Sequence, residues 1–208
     1  VERYTKEGVK FLWEQPAEPF FLYLPQSAVH IPLYPGKAFH GKSKNGLFGD
    51  WVEEVDWSVG QVLETLRQLK LDRKTLVIFT SDNGGQQRHG AVNLPLRGGK
   101  GTTFEGGMRV PTIAWWPGEI PAGTESAAIT SMMDILPTFV KLAGGTSPAD
   151  RKIDGVDIWP VQLRYRRKKA VGFHAIHQWI FEGLTGEVLL GDSGQHELEK
   201  LLCVVPIV

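Results

Sequence analysis

Residues 75–85 read Thr75-Leu76-Val77-Ile78-Phe79-Thr80-Ser81-Asp82-Asn83-Gly84-Gly85. The apolar side chains from Leu76 to Phe79 are consecutive rather than alternating, which suits a strand covered on both faces. The run passes directly into a polar turn, so a carboxylate and a carboxamide stand just beyond the strand's carboxyl end. In open α/β sheets ligands bind at that end. Asp82 and Asn83 are therefore the first candidates for chemistry. Two adjacent oxygen donors suit a hard divalent cation such as Ca2+ or Mg2+. An Asx-type turn that merely closes the strand accounts for the same tripeptide.

The neighbouring segments extend the pattern. Upstream, residues 47–70 predict a helix: Val52, Val55, Val59, Val62, Leu66 and Leu69 recur at steps of three and four and form one apolar stripe. Glu53, Glu54, Glu64, Arg67 and Lys70 are expected mostly on the other side. Residues 27–45, rich in Pro, Gly, His and Lys, read as a long loop. Before them, Phe20-Phe21-Leu22-Tyr23-Leu24 predicts a buried strand, and residues 4–14 the end of a helix broken at Gln15-Pro16. Downstream come a Gly-rich loop through Gly107, a strand over 110–116, and a helix over 131–143 that Pro137 should kink. This alternation is the grammar of an α/β fold with a doubly wound, mostly parallel sheet.

Two further segments carry reactive groups. Leu96-Arg97-Gly98-Gly99-Lys100-Gly101-Thr102-Thr103-Phe104-Glu105-Gly106-Gly107 surrounds Lys100 with glycines, which lets backbone and ammonium approach an anion closely. It lacks the spacing of a phosphate-binding P-loop; a flexible loop with an exposed lysine is the alternative. His30, in His30-Ile31-Pro32, is placed to contact an oxyanion or transfer a proton, or is a surface histidine. His89 has no separate support.

Composition narrows the classes. Across 208 residues, 42% are hydrophobic, and 23 Lys and Arg balance 23 Asp and Glu. One core is affordable, and no net charge recommends nucleic acid or a membrane surface as partner. No stretch approaches the roughly 18 apolar residues of a membrane span. The only cysteine, Cys203, allows no internal disulfide.

Taken in order, Phe20-Phe21-Leu22-Tyr23-Leu24-Pro25 with His30-Ile31-Pro32, then Phe79-Thr80-Ser81-Asp82-Asn83-Gly84, then Gly99-Lys100-Gly101-Thr102-Thr103-Phe104-Glu105-Gly106-Gly107 with Arg109-Val110-Pro111, resemble the type I sulfatase family. Gly49-Asp50, Val55-Asp56, Trp116-Pro117-Gly118, Asp134-Ile135-Leu136-Pro137-Thr138 and Asp154-Gly155-Val156-Asp157 extend the likeness over residues 20 to about 160. The resemblance implies an alkaline-phosphatase-like sheet, incomplete because its N-terminal part is missing. Residues 1–160 would be the C-terminal part of the catalytic domain, and 161–208, with the basic run Arg164-Tyr165-Arg166-Arg167-Lys168-Lys169, a tail without family likeness, whether frameshifted, misassembled, divergent or disordered.

The resemblance also implies roles. Asp82 and Asn83 would be ligands of one divalent cation, usually Ca2+, with Mg2+ the alternative. Lys100 and His30 would contact the sulfate of a sulfated small molecule or carbohydrate. The setting would be periplasmic, secreted or lysosomal. Such enzymes attack through a formylglycine made in a Cys/Ser-x-Pro/Ala-x-Arg motif and complete the metal site with an Asp-Asp pair. Both are expected upstream and neither within these residues, and Cys203 has no proline or arginine in register. The fragment alone is expected to be inactive. A non-catalytic binder of anionic glycans, or a phosphodiesterase or phosphonate hydrolase of the same superfamily, remain as alternatives.

Overall fold

The uninterrupted apolar run is indeed a strand buried on both faces. The computed structural model describes residues 1–14, 17, 19–160 and 200–206. In chain order these form α1 (Glu2–Glu14), β1 (Leu22–Tyr23), α2 (Gly46–Gln68), β2 (Thr75–Ser81), α3 (Glu105–Met108), β3 (Thr112–Trp115), α4 (Ile135–Leu142) and β4 (Lys200–Pro206). All seven residues of β2 are buried. Its side chains alternate between two layers, as a pleated strand requires. Val77 packs with Leu12 of α1 and Val62, Leu63 and Leu66 of α2, and Phe79 with Phe48, Trp51, Val52 and Val55 of α2. Leu76 and Ile78 point the other way, onto Trp116 and Phe139. Helices therefore cover both faces, which is the α/β architecture expected.

The strand order is β1-β4-β2-β3. Every hydrogen-bonded pair is antiparallel, β1 with β4, β4 with β2, and β2 with β3. The parallel relation survives one strand removed: β1 and β2 both oppose β4, so they run the same way, joined by the α2 crossover that a parallel connection needs. The difference from the mostly parallel expectation has two parts: a segment from the chain's far end lies between β1 and β2, and β3 pairs antiparallel on the other side of β2. Cys203 sits on that segment, opposite Tyr23 and Ile78. The basic run of residues 164–169 lies outside the described residues.

Three local expectations change. The first strand shortens to Leu22–Tyr23. Pro137 produces no mid-helix kink, because it stands in the first turn of α4, where its missing N–H has no intrahelical partner to lose. A 3-10 turn, Met132–Asp134, precedes it, closed by a capping box between Ser131 and Asp134. Glu54, expected on the solvent side of α2, is 2% exposed. It accepts a hydrogen bond from the backbone N–H of Gly36 at 2.7 Å.

Candidate functional site

The segment after β2 is held by its own backbone. Gly84 N–H donates to Gly107 O at 3.0 Å, and Lys100 N–H to Gly85 O at 3.1 Å. This brings the Asp82-Asn83 turn and the lysine loop into direct contact. Asn93, 1% exposed, fastens them from inside: its Oδ1 accepts from Gly85 N–H at 2.9 Å, and its Nδ2 donates to the carbonyls of Gly85 at 2.9 Å and Gly98 at 3.2 Å. The glycines are steric necessities. A Cβ on Gly99 would lie 2.6 Å from Gly85 O and 2.7 Å from Asn93 Nδ2, and one on Gly84 would overlap Gly106 O. Around the tip of the loop, Gly98 and Gly101 have φ of 78° and 84°, the left-handed region that glycine enters without cost. Thr102 Oγ1 donates to Gly99 O at 2.8 Å, and the Arg97 guanidinium lies 3.9 Å above the Phe104 ring, closing the loop at its base.

The second segment faces β2 across a cleft. A cavity of about 580 Å3 is lined by Tyr23, Gln26, His30, Tyr34, Trp51 and Asp82, among others. His30 and Asp82 therefore share one space, although they are 52 positions apart in sequence. His30 Nδ1 lies 2.8 Å from the carbonyl of Ile31. A carbonyl only accepts, so this contact puts a proton on Nδ1. Asn83 and Lys100 belong to the same neighbourhood through their backbones, Asn83 next to Asp82 and Lys100 by its bond to Gly85; neither lines the cleft. His89, on a 3-10 turn, Gln87–His89, does not line it either.

Asp82 and Asn83 fit a hard divalent cation in kind, since both offer oxygen and Asn83 Oδ1 is shielded from solvent. They supply only part of a shell that for Ca2+ needs about six to eight oxygens. Among the described residues no group of three His, Cys, Asp or Glu gathers to complete it.

Several residues singled out by motif turn out to build rather than react. Asp50, 1% exposed, accepts from the backbone N–H of Gly41, Lys42 and Ser43 at 2.7, 3.0 and 2.7 Å. Burial pushes its pKa up, but these three donors outweigh burial and hold it below the ordinary value. Asp134 accepts from Val156 N–H at 2.9 Å, and Thr138 Oγ1 from Ile158 N–H at 3.0 Å, stitching residues 154–158 to α4. One expectation needs correction. Ser147-Pro148-Ala149-Asp150-Arg151 fits Cys/Ser-x-Pro/Ala-x-Arg letter for letter. It stands beyond α4, not upstream, with Ser147 exposed and Arg151 paired to Asp150 at 2.8 Å. None of its residues lines the cleft.

Trp51 and Gln26 went unnoticed in the sequence. Both line the cleft, and among the described residues Trp51 Nε1 and Gln26 Oε1 are buried without a hydrogen-bond partner. Only the position of Trp51 on the buried stripe of α2 hinted at its placement.

Comparison with known proteins identifies the family. The family model described as Sulfatase matches residues 1–145. The chain is 48% identical over 169 residues to an N-acetylgalactosamine-6-sulfatase of Sus scrofa, covering 78% of this chain and 32% of that protein. It is 45% identical to a steryl-sulfatase of Homo sapiens, covering 77% of this chain and 29% of that protein. The crystal structure of Ps i-CgsB in complex with k-i-k-neocarrahexaose superimposes with a TM-score of 0.74 at 36% identity, over 78% of this chain and 38% of that one. The chain thus spans about a third of the length of the curated relatives it matches. By its matched sequence and its fold, this chain belongs to the sulfatase family.

Proposed function

We propose that the protein containing this chain hydrolyses sulfate esters of sugars, and that His30, Asp82, Asn83 and Lys100 are its contribution to the reacting site. The observation that carries the reading is the cleft shared by His30 and Asp82, with the lysine loop bonded to the turn that follows Asp82. A sulfate ester carries negative charge on oxygens arranged around one centre, and cleavage moves further charge onto the leaving oxygen. Lys100 would bring its ammonium to the sulfate from a loop held to the Asp82 turn by the Lys100 N–H bond to Gly85 O. In the imidazolium form, His30 keeps Nδ1–H on the Ile31 carbonyl and directs Nε2–H at an ester or sulfate oxygen. That arrangement holds a proton where the departing alkoxide needs one. Asp82 and Asn83 would hold Ca2+, or Mg2+, which when bound supplies fixed positive charge beside the sulfate oxygens. The formylglycine nucleophile lies outside this chain. Sugars are favoured because two of the matched proteins are named for a hexosamine sulfate or captured with a hexaose.

The test uses the 208-residue chain with Ca2+. Calorimetry with N-acetylgalactosamine 6-sulfate should show binding that weakens at least tenfold in Lys100→Ala, while 4-nitrocatechol sulfate is not turned over. Equal affinity in the variant would remove Lys100 from the site. Turnover above the Lys100→Ala background would place the nucleophile inside the chain.

A further inference from the structure

Two polar atoms of cleft-lining side chains have nothing to bond. Among the described residues, Trp51 Nε1, a donor, and Gln26 Oε1, an acceptor, are buried without a hydrogen-bond partner, and both residues line the cleft with His30 and Asp82. We infer that Trp51 and Gln26 set specificity for the alcohol half of the ester: they read hydroxyl groups on the carbon skeleton that carries the sulfate. This rests on the reading of the cleft given above.

Three observations carry the inference. First, both side chains are more than nine-tenths buried, Trp51 at 7% and Gln26 at 9% exposed. A buried donor or acceptor with no partner is costly, and folded proteins leave few of them. One of each kind on the lining of a single cleft marks a place where a ligand supplies the missing bonds. Second, the two residues are held from behind. Trp51 stands on α2 and packs with Phe48, Val52 and Val55. Gln26 Nε2 donates to Ser58 Oγ at 3.1 Å, and Thr5 Oγ1 donates to the same oxygen at 2.7 Å. Ser58 and Thr5 are 1% and 2% exposed, so α1 and α2 together fasten one end of the carboxamide and leave its oxygen over. Third, the pair is complementary to hydroxyl groups, which both donate and accept. An alcohol that carries hydroxyls can donate to Gln26 and accept from Trp51, whereas one made only of carbon and hydrogen leaves both atoms unpaired. A site built to bond a hydroxyl rejects the analogue lacking it far more strongly than an apolar pocket rejects a change of one methylene. Both atoms are closed to bulk water, so the floor of the cleft parts as the hydroxyls enter, and the new bonds offset that movement.

The experiment compares the 208-residue chain with its Trp51→Phe and Gln26→Met variants, which remove the donor and the acceptor and keep an apolar side chain in place. Calorimetry with Ca2+ present uses N-acetylgalactosamine 6-sulfate and cyclohexylmethyl sulfate, which carries the same primary ester on a six-membered ring without hydroxyls. The parent should prefer the sugar by about tenfold or more, and each variant should reduce that preference to about twofold or less. A preference unchanged in both variants would overturn the inference. So would an equal loss of affinity for the two probes, which would mean that Trp51 and Gln26 only pack the cleft. If Trp51→Phe lacks the parent's near-UV dichroism, Gln26→Met alone decides by the same criterion. Loss of both probes in Lys100→Ala alongside an unchanged preference in the two variants overturns this inference and leaves the sulfate site standing. A parent that binds neither probe overturns both.

Discussion

Two long irregular segments meet near the cleft, and they are stiffened by opposite means. Residues 82–107 hold themselves. Glycines let backbone lie against backbone, and the Asn93 carboxamide joins three main-chain groups of Gly85 and Gly98. Residues 36–45 are held by something else, the carboxylates of Asp50 and Glu54 reaching up from α2. In the first segment the critical quantity is volume: there is no room for one more carbon. In the second it is charge: an ionised acceptor faces three backbone donors, and charge-assisted bonds are the stronger kind. Substitutions should therefore fail differently in the two places.

The largest effect belongs to Gly84→Ala. The added Cβ would overlap the carbonyl of Gly106, a backbone atom that cannot rotate away. Either the Gly84–Gly107 bond breaks or β2 shifts, at a cost of about 3 kcal/mol or more. Urea denaturation should show this, together with loss of sulfate binding. A variant within 1 kcal/mol of the parent would show that the segment is slack, and the contrast between the two segments would be lost.

Asp50→Asn should be milder and dependent on pH. The amide keeps the volume and one acceptor oxygen but gives up the charge, for a loss of about 2 kcal/mol at pH 7. The folded pKa of Asp50 lies below the ordinary 3.8. The stability it contributes is therefore present above that value and disappears as pH falls through the lowered one. The gap between parent and variant in urea midpoints should narrow below about pH 4. A gap of constant size down to pH 2.5 would mean that shape, not charge, holds the second segment as well.

Much of this was legible in the sequence, and for identifiable reasons. The buried strand, the α2 stripe and the Gly-Lys-Gly loop are local patterns, each readable within a dozen residues. The direction of strand pairing was not: β4 comes from 119 residues beyond Ser81, and β3 returns antiparallel to β2 only after the long glycine-rich segment. Side-chain roles were legible only in part. Asp50, Asp134 and Asp154-Gly155-Val156-Asp157 stood out as motifs, yet Asp50 and Asp134 serve as acceptors for backbone N–H groups, and Gly155 lies where a Cβ would overlap Met133 O. A carboxylate that holds a loop and one that meets a substrate have the same letter code. Glu54 and Trp51 were misplaced or overlooked because an amphipathic stripe predicts a face, not which polar residue at its margin will be covered.

Asp56 gives the smallest and most discriminating test, since it is a partly buried α2 carboxylate that, unlike Asp50 and Glu54, meets no backbone donor among the described residues. Desolvation by burial, assisted by the neighbouring charge of Glu53, raises its pKa from 3.8 to about 6. A raised pKa means that folding favours the protonated acid. The stability linked to it is complete below pH 3.8 and is lost as pH rises through about 6. At pH 7 the folded chain carries an ionised group that burial disfavours, and Asp56→Asn, which imitates the neutral acid, should stabilise it by about 1–2 kcal/mol. The gain should shrink steadily toward pH 4. Helix α2 would then hold two carboxylates of opposite consequence, Asp50 stabilising because three N–H groups meet it and Asp56 destabilising because none does. If Asp56→Asn is neutral or harmful at pH 7, then an unseen partner compensates Asp56, and donors alone do not separate the two positions.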